Sequence, residues 1–293
     1  MGPDAANLPV SIPGRLLWIG KRLLLWLLLF GLLDAGGTWL LLQVPRPLTG
    51  PYILLQTTGT LIAATVAGIL LLKWLDQRRA RDLGFDLSTR AGSYSAVGVG
   101  VGVAVLLMVC ALMLVVGWLG FRADDGSPGG WLVTVVRDFV LLGIAAAAEE
   151  AVFRGYAFQT LARGAGPVVA IVVGSSIFAW GHAQNPNVGN FALLNIFLAG
   201  ILLSVSFLLT QSLWFATAVH VGWNWSMASL LDLPVSGLEI MDTPLYDAEL
   251  HGPEWFTGGA FGPEGGLAGT IAFGAALGIV WWYARRYARV EPT

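Results

Sequence analysis

The chain has 293 residues, of which 56 % are hydrophobic and only 12 % charged, with a formal net charge of −2. Soluble domains carry roughly a quarter charged residues, so this composition excludes an ordinary water-soluble fold, and the near-neutral charge speaks against a nucleic-acid partner. Cys110, the only cysteine, can form neither an internal disulfide nor a thiolate cluster, and in its apolar run it reads as a small core hydrophobe.

Apolar runs of about 20 residues, enough to cross ~30 Å of hydrocarbon, recur along the whole sequence. They fall at 23–42, 52–75, 93–119, 131–162, 167–182, 189–209, 212–231 and 266–284. The expected fold is therefore an all-α polytopic membrane protein: one transmembrane domain over 1–293, built of about eight helices. Arg15, Lys21 and Arg22 precede the first run as they would in a signal peptide. That run continues past Asp34, Gly36 and Gly37 to Leu42, too far for a signal core, so it is expected to be an uncleaved span.

Loop charge gives the orientation. Lys73, Arg78, Arg79, Arg81 and Arg90 follow span 2, Arg163 follows span 4, and Arg285, Arg286 and Arg289 follow span 8. The alternate loops hold Arg46 and Arg122. Positive residues gather on cytoplasmic loops, which predicts a cell-membrane protein with both termini in the cytoplasm. The long loop 233–265, with Glu239, Asp242, Asp247, Glu249, Glu254 and Glu264 and no Lys or Arg, is then extracytoplasmic, and its Gly and Pro content predicts an irregular linker. His251 within it has no expected role. Gly98, Gly100 and Gly102, and the pair Gly274 and Gly278, are expected to bring helices close within the bundle.

Ionisable groups inside hydrocarbon cost at least ~2.5 kcal/mol each, so each marks a candidate site. Glu149 and Glu150 follow a run of small apolar residues, and Arg154 stands four residues beyond Glu150. On a helix Glu150 and Arg154 share a face with the acid N-terminal, a pairing that keeps Glu150 ionised and structural. Glu149 is turned away by about 100° and stays free to act as a base. His182 closes the fifth run, four residues after Phe178, and His220 and Asn224 share one face of the seventh. With a turn near Gly164 to Gly166, Glu149 and His182 lie ~22 Å and ~25 Å from it along their helices, and so at similar depth.

Two chemistries fit these groups. Glu149 with His182 could activate a water against a peptide carbonyl while His220 and Asn224 hold the oxyanion. Alternatively, Glu149, His182 and His220 could ligate Zn²⁺ or another divalent metal that generates hydroxide. The residues alone leave both open.

Glu149-Glu150-x-x-x-Arg154, Phe178-x-x-x-His182 and His220-x-x-x-Asn224, in that order, resemble the CAAX-protease and bacteriocin-processing family of intramembrane proteases. Phe153-Arg154-Gly155, Asn185-Pro186 and Leu213-Trp214 add to the resemblance, which covers about 140–226 within an expected catalytic core at 130–232. It implies an intramembrane endopeptidase in which Glu149 and His182 activate water, His220 and Asn224 stabilise the oxyanion, and Glu150, Arg154 and Phe178 support the site. It also implies metal-free chemistry and a peptide or protein substrate at the bilayer, and leaves the oligomeric state open. Rival readings are a serine protease using Ser176 with His220, a transporter using Asp34, Arg137, Asp138, Glu149 and the histidines, in which Arg137 and Asp138, adjacent on a helix, are not expected to face each other, and a catalytically silent binding or immunity protein. A zinc protease of the His-Glu-x-x-His type is disfavoured, since that motif is absent.

Overall fold

The computed structural model describes residues 8–9, 11–43, 49–239 and 241–287; Arg46 and Arg289, used above for orientation, lie outside them. Helix α1 spans Ile12–Leu42, opened by Ser11, whose hydroxyl accepts from the Gly14 amide, with proline in the first turn. It starts well before the expected boundary, so Arg15, Lys21 and Arg22 are part of the helix. Helix α2 (Thr49–Trp74) leads through a 3₁₀ turn at Ala80–Leu83 to α3 (Thr89–Val115). Strand β1 (Leu119–Ala123) follows, then α4 (Pro128–Phe153), which repeats the serine-plus-proline start with Ser127 and Pro128. The remaining elements are α5 (Tyr156–Ala165), α6 (Pro167–Gly181), α7 (Asn190–Thr210), α8 (Leu213–Trp225), β2 (Tyr246–Leu250), the short α9 (Glu254–Thr257) and α10 (Leu267–Tyr287).

The chain is an all-α polytopic membrane protein. Six segments among the described residues are long and apolar enough to cross a bilayer: Ile12–Leu42, Leu54–Trp74, Thr89–Val115, Pro128–Ala165, Asn190–Thr210 and Leu267–Tyr287. Two expected spans are shorter, α6 with 15 residues and α8 with 13, the latter extended by a π turn over Ser226–Leu230. The expected fourth span is interrupted. Arg154 ends α4, and a Cβ at Gly155 would lie 2.1 Å from the Ala151 carbonyl oxygen, so this close passage is open to glycine alone. The path from Glu149 to the Gly166 turn is thus two helices rather than one straight rod.

Two apolar cores hold the bundle. The larger joins α3, α7, α8 and α10 around Val105, Met113, Ile196, Phe215 and Met227; the smaller joins α1, α2 and α5 around Trp26, Leu72 and Tyr156. Helix α8 is gripped by α3 at unusually short range. A Cβ at Gly102 would stand 2.4 Å from the Val219 carbonyl oxygen, and one at Gly222 would stand 2.5 Å from the Val99 carbonyl oxygen. Backbone meets backbone there, which fixes the depth and rotation of the helix that carries His220. Gly100, Gly274 and Gly278, by contrast, face open space, so the expectation that they bring helices close within the bundle is corrected.

The long loop is more ordered than its composition suggested. Strands β1 and β2 pair antiparallel with Leu119 opposite Leu250, and Arg122 reaches Asp247 at 2.6 Å and Glu249 at 3.5 Å. Asp232 accepts from the amides of Thr243 and Ala248, and partial burial pushes its carboxyl above the usual aspartate range. A second correction concerns Arg137 and Asp138, adjacent residues expected not to face each other. The arginine side chain is long enough to fold back, and its Nε lies 2.9 Å from Asp138 Oδ1, while Ser229 donates to Oδ2 at 3.0 Å.

Candidate active site

The site begins at the break after α4. Because Glu150 and Arg154 are one turn apart, the guanidinium lies over the carboxylate at 3.1 Å, and both side chains are essentially sealed from solvent. Arg154 also donates to the Gly200 carbonyl of α7 at 3.1 Å and sits 4.5 Å above the Phe178 ring of α6. One arginine therefore ties α4, α6 and α7 together. The Gly200 contact is to backbone, and no residue type in the sequence announces it.

Helix α8 contributes His220, whose Nδ1 lies 3.0 Å from the same Glu150 oxygen that Arg154 engages. A carboxylate accepts, so Nδ1 carries the proton and Nε2 is turned to the other side. There it lies 4.0 Å from Glu149 Oε2. Glu149 is the less buried acid, with a side chain 37 % exposed, yet its Oε2 is shielded from solvent and makes no hydrogen bond among the described residues. Each glutamate leaves its Oε2 without a hydrogen bond among the described residues, but Oε1 of Glu150 is held by a guanidinium and an imidazole, whereas Glu149 has only the His220 imidazole, at 4.0 Å.

His182 caps the end of α6. Its Nδ1 lies 2.8 Å from the Phe178 carbonyl oxygen, so this nitrogen is the donor and Nε2 is left for other partners. Phe178 separates the imidazoles, with its ring centroid 4.7 Å from that of His182 and 6.2 Å from that of His220. Phe153 closes the other edge of that ring at 5.1 Å. Glu149, Glu150, Arg154, Phe178, His182 and His220 form one connected group. The imidazole recorded beside Glu149 is that of His220, and no hydrogen bond joins Glu149 to His182. Asn224 lies one turn beyond His220, half-buried, and makes no hydrogen bond to the group.

Among the described residues, no three His, Cys, Asp or Glu side chains gather as a metal-ligand set, and Glu149, His182 and His220 are not so gathered. Ser176, the rival nucleophile, is exposed and donates to the Val172 carbonyl of its own helix at 2.8 Å. Asp34, of the transporter reading, accepts from Thr60 at 2.7 Å, in a contact between α1 and α2 separate from the carboxylate–imidazole group.

One residue near the site escaped the sequence reading. Glu264, one of the six acids of the loop 233–265, is buried; its Oε1 accepts from the Trp223 indole at 2.8 Å. Its Oε2 accepts from the Ser236 amide and hydroxyl at 2.8 and 2.6 Å. Trp223 adjoins Asn224 on α8, and the Ser236 carbonyl accepts from Asn185, three residues after His182. The loop therefore fastens both histidine-bearing segments. No local pattern distinguished Glu264 from its exposed neighbours.

Residues 130–226 match a family model described as type II CAAX prenyl endopeptidase Rce1-like. No curated protein and no solved structure matches the chain.

Proposed function

We propose, on the premise that the segment 130–226 belongs to the Rce1-like family of type II CAAX prenyl endopeptidases, that Glu149 is the general base of a peptidase working inside the membrane. The family is one of proteases, and in this reading the chain is a membrane hydrolase with a peptide or protein substrate. The finer reading rests on one observation: Glu149 Oε2 is shielded, unbonded and 4.0 Å from His220 Nε2. A water at hydrogen-bonding distance from both atoms would subtend about 90° at its oxygen, a geometry that water accepts.

In this reading Glu149 takes a proton from that water as its oxygen attacks the peptide carbonyl carbon. Charge balance sets the role of His220. Two carboxylates face one guanidinium, and an imidazolium at His220 makes the group neutral and turns Nε2–H into a donor for the oxyanion. Asn224 supplies a second donor from the next turn. Glu149 then returns the proton it took to the departing amine nitrogen as the C–N bond breaks, while His182, with Nδ1–H committed to the Phe178 carbonyl, keeps a lone pair on Nε2 in its neutral form that can accept from the attacking water. Glu150 and Arg154 hold His220 and α7 in place. The protein supplies each of these functions from its own side chains, and metal-free hydrolysis is the preferred scheme.

The test is cleavage of a membrane-presented peptide library by purified, reconstituted protein. Glu149→Gln should reduce cleavage at least a thousandfold, while Asp34→Asn retains it. Activity that survives Glu149→Gln would sink the assignment.

A further inference from the structure

A second concentration of charge lies where α1, the end of α2 and α5 meet. Asp76, whose side chain is 3 % exposed, binds Arg22 Nε on Oδ1 at 2.8 Å and an Arg163 terminal nitrogen on Oδ2 at 3.0 Å. Both guanidinium groups are largely buried, at 11 % and 17 % side-chain exposure. Among the described residues, two arginines against one aspartate leave an excess positive charge. A matched pair would need no further partner, whereas a second buried guanidinium without its own acid carries a desolvation cost that an anion would offset.

Donors remain to receive that anion. Arg22 also donates to the Leu75 carbonyl at 3.3 Å, and Arg163 to the Gln159 carbonyl at 3.4 Å and the Thr160 hydroxyl at 3.5 Å. A guanidinium carries five N–H bonds, so each keeps unspent donors among the described residues. The Trp18 ring lies 4.0 Å from the Arg22 guanidinium and 5.7 Å from that of Arg163. Trp18, both arginines, Asp76, Gln77, Leu8 and Leu75 line a cavity of about 100 Å³, room for one tetrahedral oxyanion. Lys73, Arg78 and Arg79 stand within three residues of Asp76, and the exposed leucines Leu17, Leu24 and Leu28 run along the outside of α1.

We infer that this cavity is a binding site for a phosphate group, gripped by the free N–H donors of Arg22 and Arg163. Guanidinium forks match phosphate oxygens in geometry as well as charge. Basic pockets between membrane helices take anionic headgroups, and here the leucines of α1 provide a track for acyl chains. A soluble phosphate would present the same oxygens.

The experiment follows the melting temperature of the full-length protein in neutral detergent at fixed ionic strength. Dioleoyl phosphatidylglycerol, dioleoyl phosphatidylcholine or inorganic phosphate is titrated in, and native mass spectrometry counts retained lipid. Phosphatidylglycerol should raise the melting temperature and remain bound at one molecule per chain, with phosphatidylcholine showing neither effect. Arg163→Gln leaves the neutral Arg22–Asp76 pair intact and should weaken the response at least fivefold, whereas Arg163→Lys, which keeps the charge but not the fork, should fall between it and the wild type. A response to phosphatidylglycerol alone assigns the site to a lipid headgroup; one reproduced by inorganic phosphate assigns it to a soluble phosphate. No response to either, or a lipid response that Arg163→Gln leaves unchanged, overturns the inference. Neither arm reads proteolysis, so the result is independent of the proposed activity.

Discussion

Replacing Arg154 by alanine removes the guanidinium from a position where it is 1 % exposed and leaves Glu150, fully buried, with His220 as its one remaining partner. The Gly200 carbonyl loses its donor as well. Breaking a buried pair by deleting one member costs about 3–5 kcal/mol, because the surviving charge stays desolvated, here with His220 as its partial compensation. For a chain of this size that corresponds to a fall in melting temperature on the order of 10 °C. Glu149→Gln should behave differently. Glu149 is partly exposed and, among the described residues, makes no hydrogen bond and only a 4.0 Å contact with His220, so its loss should cost under about 1 kcal/mol while abolishing cleavage. The decisive comparison is the double variant Glu150→Leu with Arg154→Met. With neither charge left behind, it should be more stable than either single change. Thermal unfolding in detergent, read by tryptophan fluorescence, measures all of these. If Arg154→Ala melts with the wild type, or if the double variant loses the sum of the two single losses, the reasoning about a supporting ion pair fails.

Two further outcomes test how the site is held. Gly102→Ala forces a methyl group against the Val219 carbonyl at a distance no real Cβ contact shows. It should destabilise the protein by about 1–3 kcal/mol and lower kcat by shifting His220, measured by unfolding and by steady-state kinetics. Glu264→Ala removes the acceptor shared by Trp223 and Ser236. Proteolytic nicking of the loop 233–265 should then accelerate severalfold, with activity falling through kcat, because the loop no longer braces the two histidine-bearing segments.

Helical geometry made part of this site legible. The four-residue spacing of Glu150 and Arg154 implies a shared face, and the ion pair forms there. The different surroundings of Glu149 follow from its rotation about the same helix. What local spacing could not reveal is tertiary: His220 binding Glu150, Arg154 reaching a backbone carbonyl, and Glu264 buried inside an apparently solvated acidic loop. The β1–β2 pairing escaped notice for the same reason, since its partners are more than a hundred residues apart. The Arg137–Asp138 contact shows the opposite failure. Adjacent Cβ atoms diverge on a helix, but a long arginine can turn back on its neighbour. The break at Gly155 was hidden because apolar and small residues run through it, and only the proximity of the Ala151 carbonyl shows why glycine is needed.

The central claim is that Glu149, the carboxylate Arg154 does not bind, drives peptide-bond hydrolysis. Its most direct test compares membrane proteomes from cells carrying the wild-type chain and cells carrying Glu149→Gln at equal abundance. The account predicts a set of new protein termini in the wild-type membranes that vanish with the substitution while the protein stays folded and inserted. Identical terminus profiles in the two membranes would contradict it.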